Sequence, residues 1–403
     1  MNENIPENHA IMLKKIGDIA SVMNGFAFKS DEYKSEGLRL IRITNVQKGT
    51  IVESTPKFID ASRYKEFFGY LLRGGDILVS LTGNVGRVGI LSKDFEPAVL
   101  NQRVGCIRAR TELVDLKYLF HVLNSDKFEN EAIKNSKGIA QLNLSAKWVE
   151  DYKIYLPAIA DQRQIATVLD KVDALRQKRK ESIKLLDDFL KATFLDMFGD
   201  PQENPKHFPL VQLQELYIDP KNGTKCGPFG SALKKEEIVD EGIPVWNMDN
   251  ISLAGRFIAP FRMWITPEKY DALRSYSVLN GDVIISRAGT VGKMCVAKNK
   301  TESIISTNLI RVRFGQKLLP IFFVSLMNYC KGSVGRLKTG ADGTFTHMST
   351  GVLDNLTFPY PPLDLQKKFA NIVEKVELQK QTIIRSQDEI NNLFNALMQK
   401  YFG

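Results

Sequence analysis

Cysteine and histidine are scarce. The four cysteines (Cys106, Cys226, Cys295, Cys330) and four histidines are scattered over 403 residues without paired spacing. This excludes a disulfide framework and a zinc site, and leaves the thiols as core or surface residues. No metal-binding residues are expected. Long apolar runs are missing too. The longest, Ile321-Phe-Phe-Val-Ser-Leu-Met327, falls well short of the ~20 residues that cross a bilayer. The opening residues, Met1-Asn-Glu-Asn-Ile-Pro-Glu-Asn, have neither the basic start nor the apolar core of a signal peptide. The expectation is a cytoplasmic protein with no membrane partner. Nucleotide chemistry lacks its usual marks as well. Gly289-Thr-Val-Gly292-Lys293-Met lacks the four-residue gap and the final Ser/Thr of a phosphate loop. No Asn-Pro-Pro-aromatic tetrapeptide is present, and Phe358-Pro-Tyr-Pro-Pro is a domain end.

What the chain does have is a duplication. Phe198-Gly199 recurs as Phe402-Gly403. Gly75-Asp76-Ile-Leu-Val-Ser80-Leu-Thr-Gly83-Asn-Val85-Gly86 is followed by Asn101-Gln102-Arg103-Val-Gly-Cys-Ile-Arg108. Gly281-Asp282-Val-Ile-Ile-Ser286-Arg-Ala-Gly289-Thr-Val291-Gly292 is followed by Ser306-Thr307-Asn308-Leu-Ile-Arg-Val-Arg313. Pro157 answers to Pro361 and Gln162 to Gln366. The offset stays between 206 and 204 residues, far beyond solenoid periods, so each copy is a domain. The net charge of +9 permits nucleic-acid binding without requiring it.

Each copy begins with short apolar runs punctuated by glycine. Leu38-Arg-Leu-Ile-Arg-Ile-Thr, Asp76-Ile-Leu-Val-Ser-Leu, Val88-Gly-Ile-Leu and Val104-Gly-Cys-Ile-Arg read as strands, and Asp60–Phe68 and Leu116–Asn124 as helical. The second copy repeats the order, with strands at Val283, Lys293 and Leu309 and a helix start at Pro267. A heptad pattern then begins. The first seam is Ile165, Leu169, Val172, Ile183, Leu186, Leu190 and Met197; the second has Phe369, Val376, Ile383, Ile390 and Leu397. Both turn polar in the middle, at Arg176 and Arg179 and at Gln379, Lys380, Ser386 and Gln387. If the helices pack antiparallel, these middles face each other and fix the register; otherwise they are polar residues that a long exposed helix tolerates. The fold class is α+β. Residues 1–157 form a first domain, 158–199 a long helix, 200–209 a proline-bearing linker, 210–362 a second domain and 363–403 a second long helix.

The ordered blocks, together with Gly138-Ile-Ala-Gln-Leu-Asn-Leu-Ser, Asp161-Gln-Arg-Gln-Ile and a helix ending in Phe-Gly-Asp-Pro, strongly resemble the specificity subunit of Type I restriction-modification systems. The resemblance runs over nearly the whole chain, twice. It implies a non-catalytic protein with two target-recognition domains, each reading one half of a gapped double-stranded DNA target. The two long helices would pair as an antiparallel coiled coil and dock two modification subunits. Those subunits would bring S-adenosylmethionine for adenine methylation, and restriction subunits would bring ATP, Mg and cleavage, so no cofactor is expected in this chain.

For base reading the residue types point to Arg42, Asn45, Asn101, Gln102 and Arg103 in the first domain and Asn247, Asn250, Arg287 and Asn308 in the second. Arg forks onto guanine, and Asn or Gln onto adenine. Each is equally a type that satisfies local backbone. The pairs Gly83/Gly86 and Gly289/Gly292 predict tight turns at positive φ, whose amides, with Arg87 or Lys293 beside them, are alternatively a phosphate cradle. Gln141 and His347 lie in matching loops before the long helices. Two other readings remain open: a self-contained nuclease using Asp18 with Glu32 and Lys34, and a scaffold without sequence preference.

Overall fold

Continuous apolar runs, rather than alternating ones, lie at the centre of each domain. Ile77–Ser80 and Val283–Ser286 are buried at every position, as expected of strands covered on both faces. The computed structural model describes residues 12–138, 141–229, 232–298, 301–330 and 348–403. Two compact units emerge, Met1–Lys180 with Arg385–Gly403, and Glu181–Ile384.

In the first unit, Ala20–Asn24, Val104–Ala109, Ile77–Ser80 and Val88–Ile90 form an antiparallel sheet in that order. A second sheet runs Phe58–Ile59, Leu38–Ile41, Ala98–Leu100, Leu71–Leu72, with its central pair parallel. A ribbon of Met12–Lys15 against Lys153–Leu156 closes the domain. The second unit repeats this plan. Thr224–Cys226, Leu309–Val312, Val283–Ser286 and Met294–Val296 form one sheet, and Trp264–Ile265, Ile243–Trp246 and Ile304–Ile305 the other. The ribbon is Leu210–Gln212 against Thr357–Pro359.

Two predicted elements differ. The strand expected over Leu38–Thr44 stops at Ile41 because Ile43–Asn45 form a 3₁₀ turn. The helical stretch after Asp60 is also 3₁₀, over Ala61–Tyr70, and is broken at Phe67, its one buried residue. Without an apolar stripe to pack, it has no reason to continue as α-helix. Elsewhere the signals are conventional. Asp115 caps Leu116–Leu123 by accepting the Lys117 and Tyr118 amides, and Thr266 caps Pro267–Ala272 with proline in the first turn.

The long helices span Ile159–Phe198 and Leu363–Phe402, and each belongs partly to both units. In the first unit, Ala166, Leu169 and Val172 share a core with Phe394 and Phe402. In the second, Leu190, Phe194 and Phe198 share one with Phe369, Val373 and Val376. The start of one helix therefore lies beside the end of the other, and the pair is antiparallel. Both cores also take in the sheets, so the seam residues bind helix to domain as well as helix to helix. Ile165, Ile183, Leu186, Met197, Ile383, Ile390 and Leu397 are half-buried. Each helix start is tied down in the same way. Buried Gln162 accepts the Asp115 amide (2.8 Å) and donates to the Pro157 carbonyl (2.8 Å). Gln366 does so with Leu319 (2.9 Å) and Pro361 (3.0 Å).

The polar seam residues do cross between helices, and they meet small or acidic partners. Arg176 donates to Asn391 (2.9 Å) and Asp173 (3.2 Å) in the first unit. At the repeat-related positions of the second, Lys380 donates to Asp187 and to Glu377 (3.1 Å). Lys380 is 1% exposed, and a buried cation needs such pairing.

Another tie holds the first domain to its helix. Buried His121 meets Asp170 of the first long helix at 2.8 Å. Burial lowers the imidazole pKa, and Asp170 only partly offsets this. The unfolded chain, with an ordinary histidine pKa of about 6.5, then takes up the proton first. Stability contributed by neutral His121 is complete above that pH and is lost as pH falls through the lower folded value. Melting at pH 7.5 and 5.5 should show a larger acid loss for the wild type than for His121→Gln; equal losses would refute the assignment.

Candidate nucleic-acid interface

The two glycine turns are built alike. After strand Ile77–Ser80 the chain turns through Gly83 and Gly86, at φ 69° and 81°; after Val283–Ser286 it turns through Gly289 and Gly292, at 63° and 83°. The strand-end serine stitches each turn. Ser80 Oγ donates to the Asn84 carbonyl and accepts the Arg87 amide (3.0 Å). Ser286 Oγ donates to the Thr290 carbonyl (2.6 Å) and accepts the Lys293 amide (2.9 Å). A Cβ on Gly86 would sit 2.8 Å from Ala132 Cβ, so glycine is needed there for contact as well as for φ.

Three of the four glycine amides in these turns are engaged within the protein. The Gly83 amide donates to the Leu142 carbonyl, Gly86 to Ser80 and Gly292 to Ser286. The neighbouring cations are also engaged: Arg87 Nη1 reaches Gln47 (3.2 Å), and Lys293 Nζ donates to the Met248 carbonyl (2.8 Å).

Several asparagines chosen for base reading sit in local caps. Asn45 is buried; it accepts the Arg42 amide (2.8 Å) and donates to the Val52 carbonyl (2.8 Å). Asn250 repeats this with Asn247 (2.9 Å) and Ile258 (3.0 Å). Asn247 accepts the Met248 amide (2.7 Å), and buried Asn101 accepts that of Arg103 (3.3 Å). Arg42 donates to the Thr55 carbonyl (2.8 Å). Short polar side chains satisfying backbone groups in turns are the common fate of these residue types.

What remains open is an edge. In the first unit, three segments are laced together by backbone bonds from the Leu81 amide to the Arg103 carbonyl, Gly83 to Leu142 and Leu144 to Leu81. This edge carries exposed Asn84, Gln102, Arg103, Lys137 and Gln141. The side chains of Gln102, Arg103 and Gln141 make no hydrogen bond among the described residues. Asn84 escaped the sequence reading; its only signal was its place between two turn glycines. In the second unit the Arg287 amide donates to the Asn308 carbonyl (3.0 Å), joining the same two turns. Asn308 and Thr290 are exposed there. Arg287 lies 5.0 Å from the Phe229 ring, with a buried Nη1 that lacks a hydrogen-bond partner among the described residues. His347 lies outside the described residues.

The carboxylates weighed for a nuclease are spent separately. Asp18 accepts the Lys15 amide (3.1 Å). Glu32 is held below the usual carboxylate range by the Lys29 amide and then by Arg63. Among the described residues no group of three His, Cys, Asp or Glu side chains is placed to hold a metal. The cysteines are free, and burial pushes Cys295 and Cys330 up to about 12. No helix among the described residues is long and apolar enough to cross a membrane.

Comparison with known proteins agrees with this geometry. The chain is 30% identical over 187 residues to the Type I restriction enzyme MjaVIII specificity subunit of Methanocaldococcus jannaschii, covering 45% of this chain and 44% of that protein. It is 21% identical over 410 residues to the EcoBI specificity subunit of Escherichia coli, covering 95% and 84%. A crystal structure of the Type I restriction-modification S subunit from M. genitalium superposes with TM-score 0.57 at 17% identity, over 99% of this chain and 98% of that one. The family model described as Type I restriction modification DNA specificity domain matches residues 9–185 and 230–392. With two matched regions covering most of its length, the chain belongs to the Type I restriction-modification DNA specificity family.

Proposed function

We propose that this chain reads a gapped two-part double-stranded DNA target, one half-site per unit, and directs adenine methylation or cleavage carried out by partner subunits. The observation that supports this most is the duplicated edge. Two laced turns with exposed polar side chains recur at equivalent places in both units, as a reader of two half-sites requires. Gln102, Arg103 and Gln141 would contact bases in the first half-site, and Arg287 and Asn308 in the second, by the forked and amide pairings open to them in the major groove. The basic balance supplies a salt-sensitive attraction to phosphates that sequence reading then refines.

The chain acts as a recognition subunit without catalysis of its own. Two modification subunits would carry S-adenosylmethionine, and restriction subunits ATP and Mg. The deciding experiment maps adenine methylation in genomic DNA of a host with and without this gene, its modification subunit being present. A gapped two-part motif that vanishes with the gene is expected. An unchanged methylome under verified expression of both subunits would overturn the proposal.

A further inference from the structure

The two recognition domains are braced by different residues at the same place in the fold. In the first, a hairpin of Val46–Gln47 and Thr50–Ile51 turns at Gly49, φ 81°. Its tip residue Lys48 grips Asp126 (2.5 Å) and Glu129 (2.7 Å), both in the same recognition domain. In the second, the corresponding turn lies at Gly255, φ 77°. The Arg256 amide is held by Ser252 Oγ (2.9 Å). Its guanidinium leaves the domain altogether: Nη2 donates to Asp187 of the first long helix (2.8 Å) and to Glu377 of the second (3.3 Å), whose other oxygen lies 3.2 Å from Nε. The same two carboxylates hold buried Lys380. Two cations and two anions from three separate chain segments thus balance.

This contact crosses a space that apolar packing does not fill. Asp187, Arg256, Glu377 and Lys380 line a groove of about 870 Å³, shared with Trp246 and Phe257 of the recognition domain. Beside the core that Val324 shares with Leu190 and Val373, a charged strut joins the domain to the helices across this groove. A guanidinium suits the task because its planar fork presents donors to two carboxylates at once, which an ammonium on a flexible stem does less well. Gly255 permits the turn from which the strut begins, at φ 77° and with the Met294 carbonyl 3.2 Å from where a Cβ would stand.

We propose that Arg256 is a positioning residue for target recognition. It sets the seat of the second recognition domain on the helix pair, and so the gap at which the second half-site is accepted. This rests on the two-half-site function proposed above. The test uses the full chain expressed with its modification subunit, and reads genomic adenine methylation for wild type, Arg256→Ala, Arg256→Lys and the core variant Leu353→Ala. In Arg256→Ala, sites whose gap is one base pair longer or shorter should gain methylation relative to the wild-type gap by about tenfold, with both half-site sequences unchanged. Arg256→Lys, which keeps the charge but not the fork, should recover only part of the discrimination. Leu353→Ala, which removes a buried core side chain that does not line the groove, should lower methylation without broadening the gap. An Arg256→Ala methylome that keeps a single gap, whether at full or reduced level, would overturn the positioning role. A wild type that gives no gapped motif would instead bring down the function on which it rests.

Discussion

Exchanging residues 12–156 for the matching segment of a relative should change one half of the methylated motif and leave the other half intact. The fold explains why so large a replacement is feasible. The chain enters the first domain on Met12–Lys15 and leaves on Lys153–Leu156, and these strands pair with Met12 opposite Leu156. Both junctions therefore fall at one end of one ribbon, and no other covalent link is disturbed. The graft must still present an apolar face to Ala166, Leu169, Val172, Phe394 and Phe402, which complete the core. The effect on specificity is large because each mismatched base pair typically costs about 1–3 kcal/mol, and several positions change together. Methylome mapping of the chimera decides the matter, and a change in both half-sites would sink the idea of one reader per domain.

Asp282→Ala should destabilise the second unit by about 3–5 kcal/mol, the cost of leaving a buried charge without its partner. Asp282 is 2% exposed. Its carboxylate accepts Arg313 Nε and Nη2, both at 2.7 Å, and the Leu279 amide at 2.7 Å. Removing it strands a guanidinium that is 16% exposed and the Leu279 amide in the turn that precedes the central strand Val283–Ser286. Against a typical domain stability of about 5–15 kcal/mol, that loss is severe. Replacing both partners by apolar residues of similar volume should restore much of it, because the desolvation cost disappears with the charges. Urea unfolding of the single and double variants measures both. A loss under 1 kcal/mol for Asp282→Ala would show that water already reaches the pair.

The same pair exists in the first unit, where Asp76 accepts Arg108 Nε and Nη2 at 2.7 Å and the Arg73 amide at 2.8 Å. Both partners stood in the duplicated blocks, Gly-Asp at one end and Arg at the other, yet sequence alone did not link them. The link needs the antiparallel register that sets Ile77 opposite Ile107, and register is a tertiary fact. Heptads were easier to read, because Leu169, Leu190, Phe369 and Val376 repeat at helical spacing whatever surrounds them. The polar seam residues Arg176 and Lys380 were legible as interruptions, but their partners Asn391 and Asp187 were not. The asparagines mislead for a different reason. Asn45 and Asn250 have the chemistry to read adenine, and the same chemistry caps a 3₁₀ turn; only burial separates the two uses. Gln102, Arg103 and Asn308 share that chemistry and stand exposed, which a residue type cannot announce.

The division of the long helices between the units bears on how the protein is made. The core of the first domain includes Phe394 and Phe402 from the far end of the second long helix. Domains generally fold in order as they leave the ribosome, but here the earlier domain waits for residues that follow the whole of the second unit. The second unit, Glu181–Ile384, has no such wait, since all of its parts are consecutive. During translation the later half of the molecule can thus mature ahead of the earlier one. The nascent chain must meanwhile carry the uncovered side chains of Ala166, Leu169 and Val172 until Phe394 and Phe402 arrive.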